Sequence, residues 1–186
     1  MHRLLLFVAL IALASPLGAT VLVPAEFREI VNGSQIIAFG RVIDTTAEMS
    51  EDRKRIDTLV SVRVDTYLKG GPGETLVFKV PGGQVGRYRN LMVGAPMFEV
   101  GDEAVFFLTA RGGGTPYVFG LSQGVFRVRF DDVTKRRMVV PPALIARGDS
   151  PEVVVRGSAA RRSVTLELFG AQVDAVLKEP VVRGAR

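Results

Sequence analysis

Apolar and polar residues alternate most regularly between Arg55 and Leu68. Ile56, Thr58, Val60, Val62, Val64, Thr66 and Leu68 share one face, and Asp57, Ser61, Arg63 and Asp65 share the other. A period of two with one wet side predicts a long antiparallel strand. Upstream, nearly every residue over 36–43 is apolar except Arg41, which predicts a strand over 35–44 covered on both faces, followed by a polar turn over 45–54. Downstream, the 69–73 stretch combines three glycines with Pro72 and predicts a sharp turn into a strand over 74–80, with Leu76, Phe78 and Val80 inward. A continuous apolar run over 103–109 predicts a central strand, and the glycine-rich 111–116 loop predicts a hairpin with a brief return strand over 117–120. Alternation resumes over 124–130, placing Phe126, Val128 and Phe130 inside and Arg127 and Arg129 outside, with 138–140 as its partner strand and Pro141-Pro142 as its end.

Helical spacing occurs twice. Phe27, Ile30 and Val31 fall at i, i+3, i+4 in a short amphipathic helix over 24–31, with Gly33 just past its end. Leu166, Phe169, Val173, Val176 and Leu177 form a stripe on a second helix over 163–178, capped by Ser163 or Thr165. The 143–162 stretch reads as an irregular linker or wrap and 179–186 as a disordered tail. Strands in short succession joined by tight turns predict a mainly β fold: an OB-like antiparallel barrel of five to six strands over 20–142, with a short helix at each end.

Between the 74–80 and 103–109 strands lies a turn-rich excursion that opens Pro81-Gly82-Gly83 and also holds Gly86, Gly94 and the triplet Arg87-Tyr88-Arg89. Long loops held by rigid strands are where binding residues concentrate. Gly82, Gly83, Gly86, Arg87, Tyr88 and Arg89 are therefore the candidate contact surface; an aromatic between two arginines suits such a role.

The N-terminus changes the picture of where the chain acts. A basic head at Arg3, an apolar run over 4–14 and a small-residue exit ending at Ala19 predict a secretory signal peptide over 1–19. The apolar run is shorter than the roughly 20 residues a membrane span needs, so no stable membrane anchor is expected after cleavage. The exported chain, periplasmic or extracellular, is mildly basic.

The side-chain inventory then limits the chemistry. The 186-residue chain has no cysteine, and its one histidine, His2, lies in the predicted signal. Thiol and imidazole catalysis and the usual nitrogen and sulfur metal ligands are absent from the expected mature chain, so no cofactor and no metal site are predicted. Gly120-Leu121-Ser122-Gln123-Gly124 matches the G-x-S-x-G elbow of serine hydrolases, but it has no histidine partner and leads into a strand rather than a helix. The acidic pairs Glu51-Asp52 and Asp131-Asp132 lack a calcium-loop register and read as solvated turns. The stretch over 82–86 lacks the lysine and the following helix of a phosphate loop. Asn32-Gly33-Ser34 reads as a helix end rather than a glycosylation site.

Several of these segments together carry a resemblance. Phe39-Gly40-Arg41-Val42 on the first strand, Tyr67-Leu68-Lys69-Gly70 closing the second, the Pro-Gly-Gly at 81–83 and Phe98-Glu99-Val100-Gly101-Asp102-Glu103 before the apolar strand are similar to the netrin-type, or tissue-inhibitor-of-metalloproteinase-like, OB-fold module, as in bacterial secreted proteins of unassigned function. The resemblance covers 24–130. It implies an OB fold and a partner such as a secreted protease. The inhibitors of that family cap a catalytic zinc with an N-terminal cysteine, which this chain lacks, so their mechanism does not carry over. The expected function is a non-enzymatic binding module for a protein partner, with no nucleic acid involved. A hydrolase using carboxylates or a serine and lysine pair remains an alternative, as does an anionic-polysaccharide binder using Arg53-Lys54-Arg55, Lys135-Arg136-Arg137 and Arg161-Arg162.

Overall fold

A computed structural model describes residues 25–71, 73–110, 112–142 and 163–179. The predicted signal peptide, the 143–162 segment and the tail beyond Glu179 lie outside the described residues. Five strands close a barrel: β1 (Ile36–Met49), β2 (Ile56–Lys69), β3 (Thr75–Pro81), β6 (Glu103–Thr109) and β7 (Tyr117–Val118). The ring runs β1-β2-β3-β7-β6, and pairing of β1 with β6 shuts it. All contacts in the ring are antiparallel except β3 with β7, which is parallel at Lys79 and Tyr117. The fold is the expected mainly β, OB-like barrel. Beyond it, β8 (Val125–Asp131), β9 (Arg136–Val140) and the short β10 (Val164–Thr165) extend the sheet from β6. A separate hairpin, β4 (Gly83–Val85) with β5 (Tyr88–Asn90), belongs to the excursion.

Alternation on β6 explains why there are two cores. Ala104, Phe106 and Leu108 point into the barrel, where they meet Val60, Val62, Leu76, Phe78 and Val80. Val105 and Phe107 point outward to a second cluster built under the two helices, α1 (Phe27–Gly33) and α2 (Leu166–Lys178). Four aromatic rings fill that second cluster: Phe27, Phe107, Phe126 and Phe169, with centroids 5.0–6.3 Å apart. One helix lies near each end of the described chain, and both seal the same outer face. Thr165 caps α2 by accepting from the Leu168 amide at 3.3 Å. Glu29 accepts from the Glu26 amide at the start of α1, and Lys69 donates to the Val31 and Asn32 carbonyls at its end. Burial of that ammonium lowers its pKa.

Four local expectations change. The first strand does not stop at Asp44 but runs to Met49, because Thr45, Thr46, Ala47, Glu48 and Met49 pair with the strongly alternating start of β2. The turn shrinks to the residues between Ser50 and Arg55, whose backbones bond at 2.9 Å. Helix α1 includes Gly33 and ends at Ser34, whose hydroxyl donates to the Ile30 carbonyl. Thr66 and Leu68 do not share the face of Val60. Register passes from Phe39 opposite Thr66 to Gly40 opposite Val64, so Asp65 is an extra residue in a bulge. Past it the faces exchange: Tyr67 packs with the barrel core and Leu68 with the helices. Phe130, expected inside, is 59% exposed, because β6 covers β8 only as far as Arg127.

Candidate functional site

The excursion between β3 and β6 is the longest segment outside the main sheet among residues 25–142, and its backbone is tied down at three places. At its start, the Gly82 amide donates to the Ile56 carbonyl and the Thr58 hydroxyl donates to the Gly82 carbonyl, each at 2.8 Å. Gly83 follows at φ 142, and a Cβ there would sit 2.7 Å from the Thr58 hydroxyl, so the chain lies flat on β2 only as glycine. In its middle, the Gly94 carbonyl accepts from the Ser122 amide at 3.1 Å. At its end, the Phe98 ring packs edge-on against Phe78 and tilted against Phe106 of the barrel core, with centroids 5.7 and 5.8 Å away.

Arg127 holds that last leg. Its guanidinium pairs with the Asp102 carboxylate, donates to the Met97 carbonyl and lies 5.0 Å from the Phe98 ring centroid. Asp102 in turn accepts from the Glu99 amide at 2.9 Å, and the backbones of Gly101 and Asp102 bond to Val42. The segment from Phe98 to Asp102 is a latch: an aromatic plug, a tight turn and a carboxylate that captures one arginine. Arg127→Ala is expected to lower stability by about 1–3 kcal/mol, since it removes charge-assisted hydrogen bonds from a half-buried site. Amide exchange at residues 97–101 should quicken selectively, and unchanged exchange there would show that the latch does not depend on the arginine.

With its backbone pinned, the loop turns a row of apolar side chains outward. Leu91 is 71% exposed, Val93 84% and Met97 84%, and Tyr88, Met92 and Val100 are exposed beside them in sequence. Isolated exposed apolar residues are ordinary on protein surfaces, whereas six within thirteen residues of one loop are not. Sequence reasoning singled out Arg87, Tyr88 and Arg89 but passed over this run. The signal was present in Leu91-Met92-Val93, three apolar residues in a row outside any strand.

The six candidate contact residues separate into two groups. Gly82 is buried and Gly83 half-buried at the root of the excursion, where they set the backbone path. Gly86, Arg87, Tyr88 and Arg89 are exposed on the β4–β5 hairpin. Arg87 folds over its neighbour, its guanidinium donating to the Tyr88 hydroxyl at 3.2 Å and lying 5.2 Å from the ring centroid. Arg89 stands opposite Gln84.

The other sequence motifs have structural work. Gln123 of the G-x-S-x-G stretch is buried, and its side-chain oxygen accepts from the Ala25 amide at 2.7 Å, which ties the entry of α1 to the turn before β8. As expected, that turn leads directly into a strand. Asp52 and Asp131 organise their own turns. Asp52 accepts from the Ser50 hydroxyl and the Lys54 amide. Asp131 accepts from the Thr134 hydroxyl and the Val133 amide. These hydrogen bonds hold both carboxyl groups below their ordinary pKa. No group of three or more potential metal ligands, and no helix long and apolar enough to cross a membrane, occurs among the described residues. No protein-family model, curated protein or solved structure matches the chain.

Proposed function

We propose that this chain is an exported, non-enzymatic binding module of the netrin-like kind, and that it captures a protein partner with the outer face of residues 82–100. The observation that carries this reading is the exposure of Leu91, Val93 and Met97 on a loop whose backbone is fixed at both roots. A pinned loop loses little conformational freedom on binding, so its apolar area contributes to affinity instead of being offset by ordering. Met92 and Met97 add side chains able to adapt to a partner's relief. Arg87, Tyr88 and Arg89 border the face with residue types that dominate interface energetics. Export rests on the N-terminal basic, apolar and small-residue pattern.

The test compares the wild-type protein with Leu91→Asp/Val93→Asp/Met97→Asp and with Arg87→Ala/Tyr88→Ala/Arg89→Ala. Each serves as bait in extracts of exported proteins. All the changed side chains are exposed, so melting temperatures should stay within a few degrees of wild type. Partner recovery is expected to fall at least about tenfold for the aspartate variant, because three unpaired carboxylates would have to be buried against the partner. Equal recovery of the same partners by all three proteins would remove this face from the interaction.

A further inference from the structure

Beneath the pinned loop lies a cavity of about 360 Å³ whose occupant the outer face does not explain. Val60 and Val80 of the barrel core back it but are themselves buried, and Phe98 lies alongside. Met92 and Met97 line it from the loop side. Arg89 is the one charged residue among those lining it, and it makes no ion pair with any described residue. The Thr58 hydroxyl, also at the wall, is already committed to the Gly82 carbonyl. Thr45, Gln84 and Asn90 add neutral polar groups to the lining, and its exposed apolar side chains together with a single cation suit a ligand with an apolar body and one anionic end. Its volume lies at the lower end of the roughly 300–1,000 Å³ of small-molecule sites, which calls for something smaller than a drug-sized ligand.

We infer that this cavity binds a small aliphatic carboxylate, the chain lying against Leu91, Met92 and Met97 and the carboxylate paired with Arg89. Guanidinium and carboxylate match in a planar, two-bond arrangement that an ammonium group cannot reproduce. The hairpin position of Arg89 leaves its head free to swing over the opening, and the two methionines let the walls follow the chain. The site shares Arg89, Met92 and Met97 with the face proposed for protein capture, and its test reads a small ligand on the purified protein, so it stands or fails separately from partner recovery.

Calorimetric titration of the purified protein with sodium octanoate, octylamine and octanol provides the test. Octanoate is expected to bind, octanol to bind at least about tenfold more weakly, and octylamine not to bind. Arg89→Gln should weaken octanoate at least about tenfold while leaving octanol unchanged, and Arg89→Lys should recover only part of the loss. Ala95→Leu, which places extra bulk in the cavity wall, should abolish both ligands, with thermal unfolding confirming that the variant is folded. Should Ala95→Leu fail to fold, Arg89→Gln decides alone, since its side chain is exposed. Absence of octanoate binding at millimolar concentration, equal binding of octylamine, or an Arg89→Gln variant with wild-type octanoate affinity overturns the assignment.

Discussion

Phe107→Ala is expected to lower the free energy of unfolding by about 3–5 kcal/mol, the range for truncating a buried aromatic to alanine. Phe107 is fully buried on β6 and meets Phe27 of α1, Phe126 of β8 and Phe169 of α2. Among the described residues it is the one ring on β6 that touches both helices and the outer sheet. The void cannot be filled by collapse of one neighbour, because the surrounding rings come from elements fixed by their own hydrogen bonds. A domain of this kind has a total stability of about 5–15 kcal/mol, so the substitution removes a large part of it. Denaturant unfolding measures the loss. A shift under 1 kcal/mol would mean that the helices are not docked on this cluster.

Gly40→Ala is the second large effect, and it arises from backbone rather than side-chain packing. Gly40 sits in β1 beside the bulge of β2, paired with Val64 on one side and Ala104 on the other. A Cβ built there meets the Arg63 carbonyl oxygen in a severe overlap and lies 2.7 Å from the Val62 side chain. The first obstacle is main chain and cannot rotate away, so the strands must part or the bulge must shift. Overpacking costs about 1–3 kcal/mol and sometimes more, and a backbone obstacle in a doubly paired strand belongs at the top of that range. The readout is a fall in denaturation midpoint together with loss of exchange protection in β1 and β2. Wild-type stability in this variant would show that β1 and β2 do not approach as closely as described.

The residues behind the netrin-like resemblance have a physical account whatever the ancestry. Gly40 permits the close approach of β1 and β2. Leu68 packs under the helices while the adjacent Lys69 caps α1. Phe98 and Asp102 form the two ends of the latch closed by Arg127. Apart from Gly40, these motifs mark places where a loop or helix is fastened to the barrel, which requires particular residue types at fixed spacing. The same logic explains the G-x-S-x-G stretch, where Gln123 fastens α1.

Basic residues outside the loop follow a different pattern. Arg41 and Arg137 both pair with the Glu103 carboxylate, Arg137 at 3.3 Å, and Arg137 also lies 5.9 Å from the Phe39 ring centroid. One arginine of the Lys135-Arg136-Arg137 triplet is thereby bound to the sheet rather than presented as part of a free cationic run. Exposed ion pairs of this kind contribute little individually, about 0–1 kcal/mol, so the network orients side chains more than it stabilises the barrel.

By itself the sequence determined most of the element types, the inward set on β3, the apolar run of β6 as a covered strand, the stripe of α2 and the position of the long excursion. These follow from periods of two and 3.6 along the chain, which are local properties that need no knowledge of partners. Tertiary structure alone decided where the periods break or are overruled. Polar residues 45–49 became strand because β2 offered them a ladder. Asp65 bulged and exchanged the faces of Tyr67 and Leu68. Phe130 stayed exposed because its neighbour strand ended. The site was decided in the same way. A row of apolar residues in a loop can fold inward or outward with equal local propensity, and only the contacts made by Gly82, Gly94, Phe98 and Arg127 turn Leu91, Val93 and Met97 to the solvent.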